Sequence, residues 1–353
     1  AFGGLILSVI CFIGAPLLHN FSDDPAVGVV AVEYFEYRSL SVAVIAINFT
    51  YRGYWTGVRK VSVFIRMALL SQFCNLLFSY GLIFGELGMP ELGAAGSGLG
   101  TTIAVFVGMF GYTILTRLSN HGELLLRSMP SAEISREIFR LSLPNGIQQL
   151  LMATGMLLYF ALLARISVET AAVGHAIINI SLFIILPGNG LGMAATTLVS
   201  QALGREQPED AYRWGWDTVK LTAILMAGLG MPLWLAPEFI LHWFLPDELV
   251  ATGTLALRMT GLIAVFQSVG IVLSQSLLGA GKARQVMLIS FGLQWCWGLP
   301  LAAFVGLYLG YGFIGVWCVS MVDRIISATL YSMIWRRRHW MPKADKHQDG
   351  HND

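Results

Sequence analysis

The chain has 353 residues, of which 56% are hydrophobic and 12% are charged, and its formal net charge is +1. Soluble proteins carry about 25% charged residues, so this composition excludes an ordinary water-soluble domain, and we expect no nucleic-acid partner. Apolar runs of about 18 residues or more can cross roughly 30 Å of hydrocarbon as helices, because a helix pairs its own backbone groups. The sequence therefore predicts an all-α, polytopic membrane protein.

Hydropathy predicts ten membrane-spanning helices, whose connections alternate in charge. Basic residues such as Lys60, Arg136 and Lys282 lie on one side, and acidic residues such as Asp24 and Asp247 lie on the other. Because basic connections remain in the cytoplasm, this alternation sets the orientation. The predicted spans are 1–20, 28–53, 61–85, 93–116, 141–164, 170–202, 218–244, 250–277, 286–309 and 312–335.

Three short motifs recur at an offset of about 222 residues, which indicates an internal duplication. Each pair falls at equivalent connections, so the two repeat units share one orientation and a pseudo-two-fold axis along the membrane normal is expected. The pairs are Leu18-His19-x-Phe21-x-x-Asp24 with Leu241-His242-x-Phe244-x-x-Asp247, Gly57-x-x-Lys60 with Gly279-x-x-Lys282, and Leu87-Gly88 with Leu309-Gly310.

The duplication predicts four regions and a longer parent protein. The second repeat unit has six predicted spans and the first has four, so two more helices, about 90 residues, are expected before Ala1 in a parent of about 440 residues and twelve helices. The expected regions are an N-terminal lobe at 1–117 with helices three to six of the twelve, a cytoplasmic linker at 118–140, a C-terminal lobe at 141–340 with helices seven to twelve, and a polar cytoplasmic tail at 341–353.

Four stretches of sequence resemble the multidrug and toxic compound extrusion (MATE) family, in its NorM-like form. They are YRGYWTGVRKV at 51–61, GELGMPELGAAGSGLGTTIA at 85–104, GHAIINISLFIILPGNGLGMAATTLVSQALGREQPEDA at 174–211 and LLGAGKARQV at 277–286. The resemblance implies a two-lobe, six-plus-six transporter that exports amphipathic organic cations in exchange for H⁺ or Na⁺. It further implies a monomer in the bacterial cytoplasmic (inner) membrane, with no cofactor besides the coupling ion.

The resemblance also implies a cation or proton site in the N-terminal lobe. The family builds it from an Asp on the first helix, an Asn and an Asp four residues apart on the fifth, and a Thr on the sixth. Asn75 and Thr101 match this pattern, and Ser79 stands where the second acid is often found. Residues four apart share a helix face, and uncharged oxygens can bind Na⁺. The alternative is that the three residues only form hydrogen bonds between helices.

In the C-terminal lobe, polar residues replace the acids that some relatives carry. Gln148 and Gln149 lie in the seventh helix and Gln267 in the tenth, so these amides are candidates to line a substrate cavity. His175, at the start of the eighth helix, resembles a family position. It could also line the cavity, or simply form an interhelical hydrogen bond.

Two further features fall inside apolar spans. Pro187-Gly188-Asn189-Gly190 is predicted to break the eighth helix and to act as a hinge through Pro187, Gly188 and Gly190. Asp323 lies near the middle of the last span, at the repeat position of Thr101. An ionisable residue at that depth marks a pathway or a structural pair, so Asp323 is the candidate proton site of this lobe.

Other functions stay open at this point. A lipid-linked precursor flippase of the same superfamily would show a more cationic cavity and further helices. A membrane-embedded enzyme would need a catalytic signature such as H-E-x-x-H or G-x-S-x-G, and neither appears in the sequence. The sequence favours a transporter that is not an enzyme.

Overall fold

The computed structural model describes residues 2–16, 25–58, 60–119 and 131–341, and their regular structure is helical. The chain divides into two compact units, residues 1–129 and residues 130–353. Each unit is built from long helices joined by short connections. This is the arrangement expected where the backbone must satisfy its own hydrogen bonds in lipid.

The first unit contains four helices, α1 (Phe2–Gly14), α2 (Pro25–Gly57), α3 (Val61–Phe84) and α4 (Gly93–Leu118). Small residues let α3 and α4 pack with their backbones in contact. A Cβ atom at Gly96 would lie 2.3 Å from the Leu82 carbonyl oxygen, and one at Gly100 would lie 2.6 Å from the Ser79 backbone nitrogen. The glycines of α4 therefore fix how closely these two helices approach.

The second unit begins with a core of long helices. They are α5 (Ala132–Ile166), α6 (Val168–Gly204), α7 (Pro208–Leu235), the short α8 (Pro237–Leu241) and α9 (Asp247–Gly279). Ile177 of α6, Met226 of α7 and Leu257 of α9 are fully buried in one apolar cluster. Helices α7 and α9 cross at a pair of glycines, where a Cβ atom on Gly230 would lie 2.6 Å from the carbonyl oxygen of Gly261.

The second unit ends with two spans, of which the first is irregular. We call Ala283–Tyr308 the π-containing span. It consists of α10 (Ala283–Phe291), a π-helical segment (Gly292–Gly298), α11 (Leu299–Ala303) and a second π-helical segment (Phe304–Tyr308), and α12 (Gly312–Arg336) follows it. Pro300 has no N–H to donate to the preceding turn. Wide turns of this kind occur often at functional sites.

The described helices confirm the all-α membrane class but not the count of ten spans. Eight of them are long and apolar enough to cross a membrane, and α1 is shorter, within the part of the chain that is described. The predicted span at 218–244 was misplaced, since α7 covers Pro208–Leu235 and ends before Pro237. Helix α5 begins at Ala132, inside the range predicted for the linker, and the bounds of that linker stay a prediction.

The predicted break in the eighth helix was wrong. Helix α6 runs without interruption through Pro187 and Gly190. Proline inside a membrane helix is tolerated because neighbouring groups can satisfy the freed carbonyl. The predicted hinge therefore has no counterpart in the secondary structure, and bending at this place stays a prediction.

The duplication is visible in the bounds of the helices. Helices α2 and α9 each have 33 residues, and both of their ends are displaced by 222 positions. The backbone at Gly88 and at its counterpart Gly310 has a positive φ, 76° and 74°, where glycine is favoured. The motif pair at Leu18–Asp24, the middle of the predicted linker and the tail beyond Met341 lie outside the described residues.

Candidate functional site

In the first unit, the structure brings Asn75 and Thr101 together. Asn75 Nδ2 donates a hydrogen bond to Thr101 Oγ1 at 2.9 Å, and Thr101 Oγ1 donates to the Ser97 carbonyl oxygen at 2.8 Å. All three predicted residues are half-buried, and Ser79 lies against Gly100, next to Thr101. The arrangement presents amide and hydroxyl oxygens from two helices, which are ligands that hard monovalent cations accept.

A second polar group in this unit was missed by the sequence analysis. Asn48 of α2 donates from Nδ2 to the Val105 carbonyl oxygen at 2.9 Å, and its Oδ1 atom is buried without a hydrogen-bond partner among the described residues. It lines a cavity of about 170 Å³ together with Arg52, Ser71 and Tyr112. A polar amide inside an apolar run is the signal that could have identified Asn48.

In the second unit, Gln148 belongs to a chain of hydrogen-bonded side chains that joins three helices. Gln148 Nε2 on α5 donates to Ser290 Oγ on α10 at 3.1 Å, and Ser290 Oγ lies 3.2 Å from the Tyr331 hydroxyl on α12. Gln148 Oε1 is buried and has no partner among the residues that the structure covers. The sequence analysis missed Ser290 and Tyr331, whose pairing depends on contacts between distant segments.

Asp323 lies on α12, half-buried within the second unit. Its Oδ1 atom is buried and accepts no hydrogen bond from any described residue. The neighbouring Arg324 interacts electrostatically with both Asp323 and Tyr159, but no ion pair to Asp323 occurs within the described ranges. The carboxylate faces the π-containing span, because a Cβ atom at Gly298 would lie 3.7 Å from Asp323 Oδ1.

The remaining predicted cavity residues are not brought together. Gln149 on α5 and His175 on α6 are exposed, and Gln267 on α9 is half-buried. The His175 ring packs against Phe160 with a centroid distance of 5.5 Å. No hydrogen bond joins these residues to one another in the described part of the second unit. Their exposed polar atoms remain accessible to a solute.

At the predicted hinge, two of the three residues are exposed and one is buried. Gly188 packs so closely on α7 that a Cβ atom there would lie 2.7 Å from Met226 Sδ. Pro187 and Gly190 are exposed, and nothing lies within 4 Å of a Cβ atom built at Gly190. Gly188 therefore serves packing, and Gly190 has no close packing partner among the described residues.

Comparison with solved structures identifies the fold. A MATE crystal structure in the straight conformation superposes with a TM-score of 0.87 at 19% identity, covering 96% of this chain and 76% of that one. The class is therefore that of polytopic helical membrane proteins with the MATE fold. A family model described as MatE matches residues 144–304.

Two curated relatives extend the match beyond that region. A probable multidrug resistance protein NorM from Thermotoga maritima is 29% identical over 285 residues, 78% of this chain and 60% of that protein. An uncharacterised transporter, YisQ of Bacillus subtilis, is 23% identical over 96% of this chain and 75% of its own length. The chain is therefore similar to MATE-family proteins of the NorM type. It spans less than two thirds of the Thermotoga relative.

Proposed function

We propose that the protein is a cation-coupled antiporter that exports amphipathic organic cations across the bacterial cytoplasmic membrane. The observation that carries this proposal is the match of residues 144–304 to the MatE family model, together with the similarity of the chain to probable multidrug resistance proteins of the NorM type. The long apolar helices fit a multi-pass transporter. We expect the transporter to act as a monomer, without a cofactor and without an enzymatic step.

The coupling site of the first unit is proposed at Asn75, Ser79 and Thr101. Support comes from the hydrogen bond between Asn75 and Thr101 at 2.9 Å, which joins α3 to α4. A Na⁺ ion bound near these groups, or a nearby side chain that carries a proton, would change the contacts between α3 and α4. Transport then couples to the ion because the two states of the helix pair differ in ion affinity.

The substrate contacts are proposed in the second unit, at Gln148, Gln149, His175 and Gln267. Amide groups supply both donors and acceptors, and they carry no charge that would repel a cationic substrate. Gln149 and His175 are exposed in this unit, which leaves them available for contact. Binding sites that combine apolar walls with a few polar groups suit amphipathic ligands.

The test is an efflux assay with the purified parent protein, including the two helices expected before Ala1, reconstituted into liposomes that contain ethidium. A proton gradient and a Na⁺ gradient are imposed separately, because only this separation identifies the coupling ion. We expect one gradient to accelerate ethidium movement and an ionophore that collapses it to abolish the acceleration. Movement that is independent of either gradient, or no movement for any of a broad panel of cations, would contradict the antiporter.

A further inference from the structure

Two hydrogen-bonded polar groups occupy the interface of α5, the π-containing span and α12. The first is the chain Gln148–Ser290–Tyr331 described above. In the second, Ser320 Oγ of α12 donates to the Tyr159 hydroxyl of α5 at 2.8 Å. Polar groups at helix contacts inside an apolar span are costly unless they bond to one another. These two groups meet that requirement.

Asp323 lies between the two groups along α12. It is three residues beyond Ser320, hence on a neighbouring part of the same helix face, and eight residues before Tyr331. Its carboxylate is directed at Gly298 in the π-helical segment. Its Oδ1 atom is buried and accepts no hydrogen bond from the described residues, which is also true of Gln148 Oε1 in the first group.

The corresponding position of the first unit is chemically different. Thr101 lies 222 positions before Asp323, and its hydroxyl both accepts from Asn75 and donates to Ser97. A neutral, fully bonded hydroxyl in one unit therefore corresponds to an ionisable, incompletely bonded carboxyl in the other. The duplicated scaffold holds a group that can gain or lose a proton in the second unit.

The buried oxygen of Asp323 favours a proton over a metal cation. A Na⁺ ion needs several oxygen ligands around it, whereas Gly298, which the Asp323 carboxylate faces, has no side chain to supply one. The neighbouring Arg324 favours the charged form of this carboxylate, but burial without a hydrogen-bond donor disfavours it. Binding a single proton removes that charge and needs no further ligand.

We propose that Asp323 reversibly binds a proton and that its protonation is linked to the binding of organic cations. This inference rests on the proposed antiport. A protonated Asp323 would disfavour the cationic substrate, and the charged form would favour it, so proton and substrate compete through the second unit. The ionisable groups near this position are Arg324 and Tyr331 on α12 and Tyr159 on α5, and the π-helical segment that faces it contains Cys296.

The experiment compares the reconstituted wild type with D323N, D323E and the matched control D217N. Asp217 is an exposed acid that pairs with Lys220 at 2.9 Å on the cytoplasmic end of α7. Difference infrared spectra between acidic and alkaline buffer record the protonated carboxyl band. We expect D323N to lose part of this band, and D323E and D217N to keep it. This readout does not depend on transport.

The second readout is the affinity for tetraphenylphosphonium across the same range of pH. One linked proton changes the affinity by up to about tenfold per pH unit. We expect this dependence in the wild type, D323E and D217N, and its loss in D323N, which should still bind the cation and elute as folded protein. An unchanged infrared band or an unchanged pH dependence in D323N would overturn the proposal. Ethidium efflux by wild-type liposomes reports separately on the antiport itself.

Discussion

At the scale of single residues, each unit contains both satisfied and unsatisfied buried polar atoms, the latter including Asn48 Oδ1 in the first unit. In the first unit, the Thr101 hydroxyl accepts a hydrogen bond from the Asn75 amide and donates one to the Ser97 carbonyl oxygen. Gln148 uses its amide nitrogen but leaves Oε1 without a partner among the described atoms. Buried polar atoms without a hydrogen-bond partner are uncommon in stable proteins. They therefore indicate where a bound solute or ion would form the most stabilising new contact.

Replacing Thr101 by valine tests the first unit. The T101V variant keeps the shape of the side chain but leaves Asn75 Nδ2 without its acceptor, and we expect a loss of about 1 kcal/mol in unfolding free energy. Thermal unfolding in detergent, with and without Na⁺, measures it. T197V is the control, because the Thr197 hydroxyl donates to the Met193 carbonyl oxygen of its own helix and has no hydrogen bond to another helix among the described residues. An equal loss in both variants would argue against a special role of Thr101.

At the scale of helices, close packing and open space divide the glycines into two kinds. In α4, Gly100 meets the backbone of α3, whereas Gly108 has Ser71 Oγ at 3.4 Å from a built Cβ atom, an ordinary contact distance. In α6 and α7, Gly190 and Gly228 have nothing within 4 Å of such an atom. A methyl group added at Gly100 should therefore destabilise the protein, whereas one added at Gly190 or Gly228 should stabilise it.

The G100A variant should separate α3 from α4 and cost about 1–3 kcal/mol of stability, because the obstructing atoms belong to backbone. G108A, in the same helix, is the matched control and should change stability by less. Thermal unfolding of both variants decides the question. If G108A is destabilised as much as G100A, the close approach at Ser79 is not what limits this packing.

The G190A variant tests bending in α6. Alanine lowers the cost of a helix interior by about 0.5–1 kcal/mol relative to glycine, so we expect higher stability. If α6 bends at this position during transport, G190A should also slow ethidium efflux. G228A provides the same gain in α7 and should leave efflux unchanged. Equal efflux rates in wild type, G190A and G228A would contradict the prediction that α6 bends at Gly190.

Hydropathy and resemblance predicted some elements well and others badly, for physical reasons. The last two spans were placed within a few residues, because lipid requires long apolar helices whatever they pack against. The misplaced span at 218–244 merged α7 with α8 across Pro237, a break that apolar composition conceals. The π-helical segments and the bonds of Ser290 and Tyr331 arise from contacts between distant segments, which periodicity cannot report.

At the scale of the whole molecule, the charge alternation predicts which ends of the helices face the cytoplasm. Lys282 follows α9, and Asp247 begins it. By the positive-inside rule, the Lys282 end is cytoplasmic. In a background without the native cysteines, K282C should react with an impermeant maleimide in inside-out vesicles, and D247C in intact spheroplasts. The reverse pattern would invert the proposed direction of transport.

The equal lengths of α2 and α9 have a consequence for how the protein meets the lipid. A helix of 33 residues at about 1.5 Å per residue is about 50 Å long, roughly 20 Å longer than the hydrocarbon layer. A tilt of about 40°, near the upper limit observed, would still leave it longer than that layer. Part of each helix must therefore project beyond the acyl chains, where charged residues at a helix end, such as Asp247 and Glu248 of α9, can be hydrated. Because α2 and α9 have the same length, both units of the duplication retain this excess of helix over the thickness of the hydrocarbon layer.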